Sequence, residues 1–194
     1  LDEDEMRMGL KQGMMKRSCF PVFCLSALRN MGSGRLMGFI DNVAPSAIEM
    51  PAEELVGGGE LCCEASGPAV LFTFKTMIEP KSGHITLFKV MSGEVREGMD
   101  LINDNSGGPE RVNQLFILDG HERRPVEKLV AGDIGGTIKL KDTATAHTLH
   151  TPGRSIKLLP IAFPEPRLRQ VIKAKDQKLE EKLHAALLEI QKED

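Results

Sequence analysis

Ser92-Gly93-Glu94-Val95-Arg96-Glu97-Gly98-Met99-Asp100 decides how this chain is read. It leaves one strand-like run, Ile85 to Met91, and enters another, Asp100 to Asn103. Two glycines five residues apart bracket a charged connection, while Val95 and Met99 supply apolar side chains that point back toward a core. Glycine adopts turn conformations that other residues reach only with strain, so the stretch predicts a corner between two strands.

Working outward, strand signals recur. Val70, Phe72 and Phe74 alternate with Leu71, Thr73 and Lys75, the period of a strand with two unlike faces. Pro80 to Gly83 reads as a turn, with Ile85 to Met91 returning as the next strand. Asn103 to Pro109 is dense in Asn, Asp, Gly and Pro, which predicts a hairpin loop between Met99–Ile102 and Arg111–Leu118. Ile134 to Leu140 and Thr148-Leu149 complete the set. Short strands at close intervals predict a small antiparallel barrel, a closure that removes exposed sheet edges.

Helical patterns flank the strands. Met6, Leu10 and Met14 fall at i, i+4 spacing behind an acidic first turn, predicting a helix over residues 3–15. The Met-rich face of that helix predicts self-association of the isolated chain. Cys19 to Leu25 reads as a short buried strand split by Pro21, and Leu36, Ile40 and Val43 share a face of a second helix. Residues 52–67, with Gly57-Gly58-Gly59, read as a linker. Near the end, Leu168 to Ile172 reads as a strand, and Leu179, Leu183, Ala186, Leu187 and Ile190 stripe a third helix.

Composition narrows the function classes. The 194 residues are 41% hydrophobic and 27% charged, ordinary for a globular protein. A net charge of −3 gives no general attraction for nucleic acid, and residues 66–150 carry 10 Lys/Arg against 11 Asp/Glu. No apolar run approaches the roughly 18 residues of a membrane span, and no secretory signal is evident. Cys19, Cys24, Cys62 and Cys63 form no Cys-x-x-Cys pair, so free thiols in a cytoplasmic setting and no metal site are expected. Arg123-Arg124 reads as part of an exposed loop, and His147 and His150 as surface histidines. The chain opens on Leu1 without an initiator Met and is expected to be a piece of something longer.

An ordered series of motifs resembles the elongation factor G family of translational GTPases. Phe74-Lys75, Pro80-x-x-Gly83, Lys89-Val90-x-Ser92-Gly93, Gly98-x-Asp100, Asn103 and Glu110-Arg111-Val112 follow the pattern of its second domain. So do Ala131-Gly132-Asp133-Ile134, Leu140-Lys141-Asp142-Thr143 and Thr148-Leu149. Upstream, Pro21-Val22-Phe23-Cys24-x-Ser26-Ala27 resembles the end of the GTPase domain, and Phe163-Pro164-Glu165-Pro166 the entry to the third domain. The chain departs from the pattern at Thr145-Ala146-His147, where the family commonly has Thr-Gly-Asp, at Met91 for Tyr, and at Ala174 for Pro, signs of a divergent paralogue.

The resemblance implies a mainly β fold with flanking helices, built on a translation-factor-type antiparallel β-barrel. It implies a remnant of the GTPase domain over residues 1–50, a linker over 51–67 and the barrel over 68–150. A connector over 151–166 and the start of a third domain over 167–194 follow. It implies GTP or GDP with Mg²⁺ in the intact parent, with Ser26, Ala27 and Leu28 reading the guanine base. The chain has no Gly-x-x-x-x-Gly-Lys-Ser/Thr phosphate loop, so no nucleotide and no catalysis are expected of it alone. The implied partner is the ribosome through small-subunit rRNA, contacted by Lys81, Lys89, Ser92, Gly93 and Arg96, with no DNA and no membrane partner. The implied role is translocation in elongation, with the barrel docking and coupling domains. The alternatives are a ribosomal protection or release-factor-type GTPase, or a free-standing barrel module.

Overall fold

The computed structural model describes residues 2–79, 83–120, 122–153 and 155–193, the side chains of residues 178, 192 and 193 apart. It divides into two compact units, Leu1–Pro51 and Ala52–Asp194.

In the first unit, α1 spans Glu3–Met15 and starts on a reciprocal cap. The Glu5 amide donates to the Asp2 carboxylate at 2.7 Å, and the Asp2 amide donates to the Glu5 carboxylate at 3.0 Å. That satisfies two of the donors a helix start leaves open. A second helix, α2, spans Ser33–Asn42. A single 3₁₀ turn, Ala47–Glu49, follows, and Lys11 of α1 reaches its Glu49 at 2.9 Å. The Lys11 ammonium, then the Ser46 amide and hydroxyl, lower the Glu49 pKa to about 2. The strand expected at Cys19–Leu25 does not form. Pro21 lacks a backbone donor, and the described residues of the first unit contain no strand for this run to join. Its apolar residues stay largely open, Val22 at 89% and Phe20 at 76% exposed, while Phe23 meets Phe39 edge to face at 4.9 Å.

The second unit is antiparallel throughout its described strands. β1 (Glu53–Glu54) pairs with β2 (Glu60–Leu61). An eight-stranded sheet follows from β3 (Val70–Glu79), β4 (Gly83–Ser92), β6 (Asp100–Asn103), β7 (Pro109–Arg111), β8 (Phe116–Asp119), β9 (Glu122–Pro125), β11 (Ile134–Ile138) and β12 (Thr148–His150). Its order is β7-β6-β12-β3-β4-β11-β8-β9. Separately, β5 (Glu94–Arg96) pairs with β10 (Lys128–Val130). The interior is Leu71, Phe88, Val90, Val95, Leu101, Val112, Leu115, Leu129 and Leu149, with Met99 packed against it. Val95 and Met99 therefore point inward, as their spacing predicts.

Three departures from the sequence reading have physical causes. The expected linker is a hairpin, whose Leu55 bridges Leu158 and whose Leu61 packs on Val70 and Met91. Gly57, Gly58 and Gly59 all take positive φ, so the glycines make a turn where flexibility was expected. Arg111–Leu118 is not one strand: β7 pairs with β6 and β8 with β11 and β9, so the chain crosses between Val112 and Leu115. Arg123-Arg124 is no loop but the middle of β9, with Arg123 paired to Glu79 and stacked 5.3 Å from Phe116. Beyond the barrel, Leu168–Ile172 forms no strand, for no described edge receives it. The last helix, α3 (Gln177–Glu193), leaves Leu179, Leu187 and Ile190 exposed.

Candidate functional site

Three places in the fold bear on function: the β4–β5 corner, the loop bundle behind it, and the turn at Ser26. Each is built by local chain chemistry.

At the corner, Gly93 takes φ +71 and its amide donates to the Glu64 carbonyl at 2.8 Å. Its carbonyl accepts from the Ala131 amide at 2.9 Å, so the corner is stitched to chain on both sides. A Cβ at this position would lie 2.6 Å from the backbone of Pro68 and Ala69. Ser92 is 1% exposed and its hydroxyl faces the Glu64 carbonyl at 3.4 Å. Ser92 and Gly93, expected to touch rRNA, are thus buried and have no side chain to offer a partner. Their motif signal is real, but its physical content is the close approach of Pro68–Ala69.

The surface of the corner is charged. Arg96 lies 2.5 Å and Lys128 2.9 Å from opposite oxygens of Glu94. The hydrogen bond from Lys128 is the main reason the Glu94 carboxyl sits below its ordinary range, with Arg96 adding to it. Arg96 and Lys128 share the Glu94 carboxylate, and Glu97 and Glu127, their chain neighbours, are joined through their backbones at 3.4 Å beside them. Lys89 is half-buried on β4, opposite Phe72 and Ile134. Lys81 lies outside the described residues.

Behind the corner is a hydrogen-bonded bundle that sequence reasoning missed. Glu110 is 3% exposed, and its two oxygens accept from the Lys141 amide (2.9 Å), the Asp142 amide (2.8 Å) and the Thr143 hydroxyl (2.8 Å). Asn103, fully buried, accepts from the Asn105 amide at 3.0 Å and donates to the Asp142 carbonyl at 3.2 Å. Nδ1 of His147 accepts from the Ala144 amide at 3.2 Å and lies 3.1 Å from the Asn103 amide group. Two donors on one ring nitrogen require a neutral ring at Nδ1. Burial, helped by the Lys157 charge, accordingly lowers the His147 pKa. His150 is no surface histidine, being only 3% exposed, and His147 is half-buried. The available signal was the two-residue spacing of acidic Glu110 in β7 and apolar Val112 just past its end, which places the carboxylate on the buried side of the chain.

Ala146 shows how the divergent corner is accommodated. It keeps a left-handed backbone, φ +66, and its amide donates to the Thr73 carbonyl at 2.7 Å. That conformation costs a residue with a Cβ about 1–2 kcal/mol. Ala146→Gly is therefore expected to stabilise the chain by about 1 kcal/mol, the relief less the entropy glycine adds to the unfolded state. Urea unfolding checks this; an unchanged or lowered midpoint would show that Ala146 is not strained.

The turn at Ser26 belongs to the first unit. Ser26 and Met31 exchange both backbone hydrogen bonds, at 2.9 and 3.0 Å, closing a turn over Ala27–Asn30. Leu28 at its tip is 98% exposed, and the amides of Ala27 and Leu28 make no hydrogen bond among the described residues. Free amides at an exposed tip fit the edge of a base, which presents acceptors. No group of three or more His, Cys, Asp or Glu is placed to hold a metal among the described residues.

Comparison with known proteins places this geometry. Residues 68–151 match the family model described as elongation factor G domain 2. Elongation factor G 1 of Bdellovibrio bacteriovorus is 34% identical over 198 aligned positions, covering 98% of this chain and 28% of that protein. A crystal structure of a Thermus thermophilus protein matches the fold with a TM-score of 0.77 at 21% identity, over 100% of this chain and 27% of its own. The chain thus spans little more than a quarter of the length of either relative. Residues 68–151 therefore belong to the elongation factor G domain 2 family, within a chain that is elongation factor G-like across 98% of its length.

Proposed function

We propose that this chain is the barrel-centred region of an elongation factor G-like GTPase that acts on the ribosome in translocation, in the cytoplasm. The observation that carries this reading is that the 34% identity extends across 98% of the chain and so through both compact units, well beyond the barrel. A free-standing barrel module would have no reason to keep a match in Leu1–Pro51.

In this reading the barrel docks on the small subunit and fixes the geometry of the domains attached to it. Arg96, backed by Lys128, and Lys89 are the described cations that meet RNA phosphates, while Ser92 and Gly93 hold the corner that presents them. Phosphate contacts of this kind set affinity and register rather than sequence. The near-neutral barrel binds RNA weakly alone, and its affinity comes from linkage to further ribosome-binding domains. GTP with Mg²⁺ is bound and hydrolysed by the whole protein. Here the Ala27 and Leu28 amides, with Ser26 shaping their turn, hold the guanine edge in place. The exposed apolar residues of the first unit, among them Met6, Phe20 and Val22, support self-association of the isolated chain, which a concentration-independent monomer in sedimentation velocity would exclude.

Co-sedimentation of the full-length protein with ribosomes, with a non-hydrolysable GTP analogue, tests the reading. Binding is expected to require the nucleotide and to fall severalfold in an Arg96→Glu, Lys89→Glu double variant, with a shallower salt dependence. Nucleotide-independent binding, or an unchanged salt dependence in the variant, would overturn it. Retained docking without stimulation of translocation would point instead to a protection or release factor.

A further inference from the structure

We infer that Arg96 and Lys128 form a phosphate-binding pair, and that Glu94 occupies it in the free chain as an internal stand-in for an RNA phosphate. That the phosphate belongs to RNA rests on the docking reading above; the site itself follows from the ladder between β5 and β10.

That ladder sets Lys128 directly opposite Arg96. Residues directly opposite in an antiparallel pair project from the same face, with Cβ atoms about 4.5–5.5 Å apart. Two cations so placed repel, and the arrangement is unfavourable unless an anion lies between them. Nor can the strands slide to part them. The adjacent pair, Val95 and Leu129, is 0% and 2% exposed in the barrel core, and a slip by one residue would turn such side chains out to water. Register thus holds two cationic side chains together on a solvent-facing surface, Arg96 62% and Lys128 53% exposed.

Glu94 supplies the anion. It lies two residues before Arg96 on the same face of β5, opposite Val130. One of its oxygens takes Arg96 at 2.5 Å and the other takes Lys128 at 2.9 Å. A carboxylate whose two oxygens are divided between two cations makes the contacts that a phosphodiester makes with its two free oxygens. The other acids nearby are not so placed. Asp133 accepts from the Val130 amide at 2.9 Å. Glu97 and Glu127 are exposed and make no ion pair with either cation among the described residues.

The strength of this hold decides what it does. Ion pairs as exposed as these are weak. A single phosphate ion gains little over the carboxylate it replaces, whereas a strand that presents several phosphates at once displaces it. Glu94 therefore keeps the pair closed to stray anions and gives way when the barrel is held against RNA.

Fluorescence anisotropy of a labelled A-form RNA duplex, titrated with the full chain at low salt, tests this. Glu94→Gln is expected to bind about fivefold tighter than the unaltered chain and to steepen the salt dependence by about one unit of slope. Glu127→Gln removes the same charge one residue from Lys128 and should tighten binding by less than about twofold. Adding Lys128→Met to Glu94→Gln should erase most of the gain. Weaker binding by Glu94→Gln would make Glu94 a support for the cations instead of their occupant. An equal gain from Glu127→Gln would make the effect one of overall charge. Either result, or no gain at all, overturns the inference. Ribosome co-sedimentation is a separate readout: loss of nucleotide-dependent docking there would sink the proposed function and leave the duplex result standing.

Discussion

Gly93→Ala is expected to lose about 4 kcal/mol or more of stability, enough to leave the chain largely unfolded at room temperature. Two costs combine. The left-handed backbone at φ +71 strains any residue with a Cβ, by about 1–2 kcal/mol. The new methyl would also stand 2.6 Å from the Pro68 carbonyl and the Ala69 amide nitrogen, both of them backbone. Neither can swing aside as a side-chain tip would. The Ala69 carbonyl is itself bound to the Thr151 amide at 3.0 Å, so a shift there would propagate into β12. Gly98 supplies the control. It has a similar φ, +81, but its nearest neighbour to an added Cβ is the tip of Arg111 at 3.7 Å. Gly98→Ala should cost only the conformational term, about 1–2 kcal/mol. Urea unfolding of both variants, read by far-ultraviolet circular dichroism, decides the matter. Equal midpoints for the two would mean that the close approach at Gly93 carries no weight.

That contrast shows what was legible in the sequence. The Ser92–Asp100 corner is legible because it is local: glycine spacing, strand alternation and two apolar residues lie within nine positions. The inward aim of Val95 and Met99, the helices at residues 3–15 and at the C-terminal end, and the barrel class follow from the same short-range patterns. What the residues cannot reveal one at a time is pairing. Arg111–Leu118 looks continuous because nothing in its apolar pattern marks the point where the chain changes partner from β6 to β11. Arg123-Arg124 reads as a loop because the run is charged, though Arg123 pairs with Glu79, 44 positions away. Cys19–Leu25 has strand character that finds no edge. Hydrophobic alternation names a strand only where a ladder is available to receive it.

The candidate site was legible to a different degree. Motif matching found Ser92 and Gly93 but attached them to a partner, when burial assigns them to the fold. It left Arg96 on the surface, where it belongs, without its link to Lys128 through Glu94. It could not distinguish His150 from an exposed histidine, because a buried polar residue on a short interior strand has the same sequence signature as a solvated one. Buried polar bundles are set by long-range contacts, and those are what a single sequence conceals.

Glu110 is the sharpest instance, and its removal is the second large effect expected. Its carboxylate receives two backbone amides and one hydroxyl from residues 141–143, more than 30 positions away in the chain. Those groups leave water when the loop seats, so each must find an acceptor or cost about 1–3 kcal/mol. Glu110→Ala deletes all three acceptor contacts and should destabilise the chain by about 3–5 kcal/mol, with amides 141 and 142 exchanging first. Glu110→Gln separates charge from shape. The amide retains one accepting oxygen and turns an NH₂ toward a donor, so it should recover part of the loss but not all of it. The consequence extends past the loop itself. Thr143 also stands 3.2 Å from the Asn103 amide, which lies 3.1 Å from His147 and orders the turn carrying Asp104. Loss of Glu110 is therefore expected to broaden the ring signals of His147 in nitrogen-15 spectra before global unfolding. A Glu110→Ala chain as stable as the unaltered one, with sharp His147 signals, would mean that the loop is held by its backbone alone.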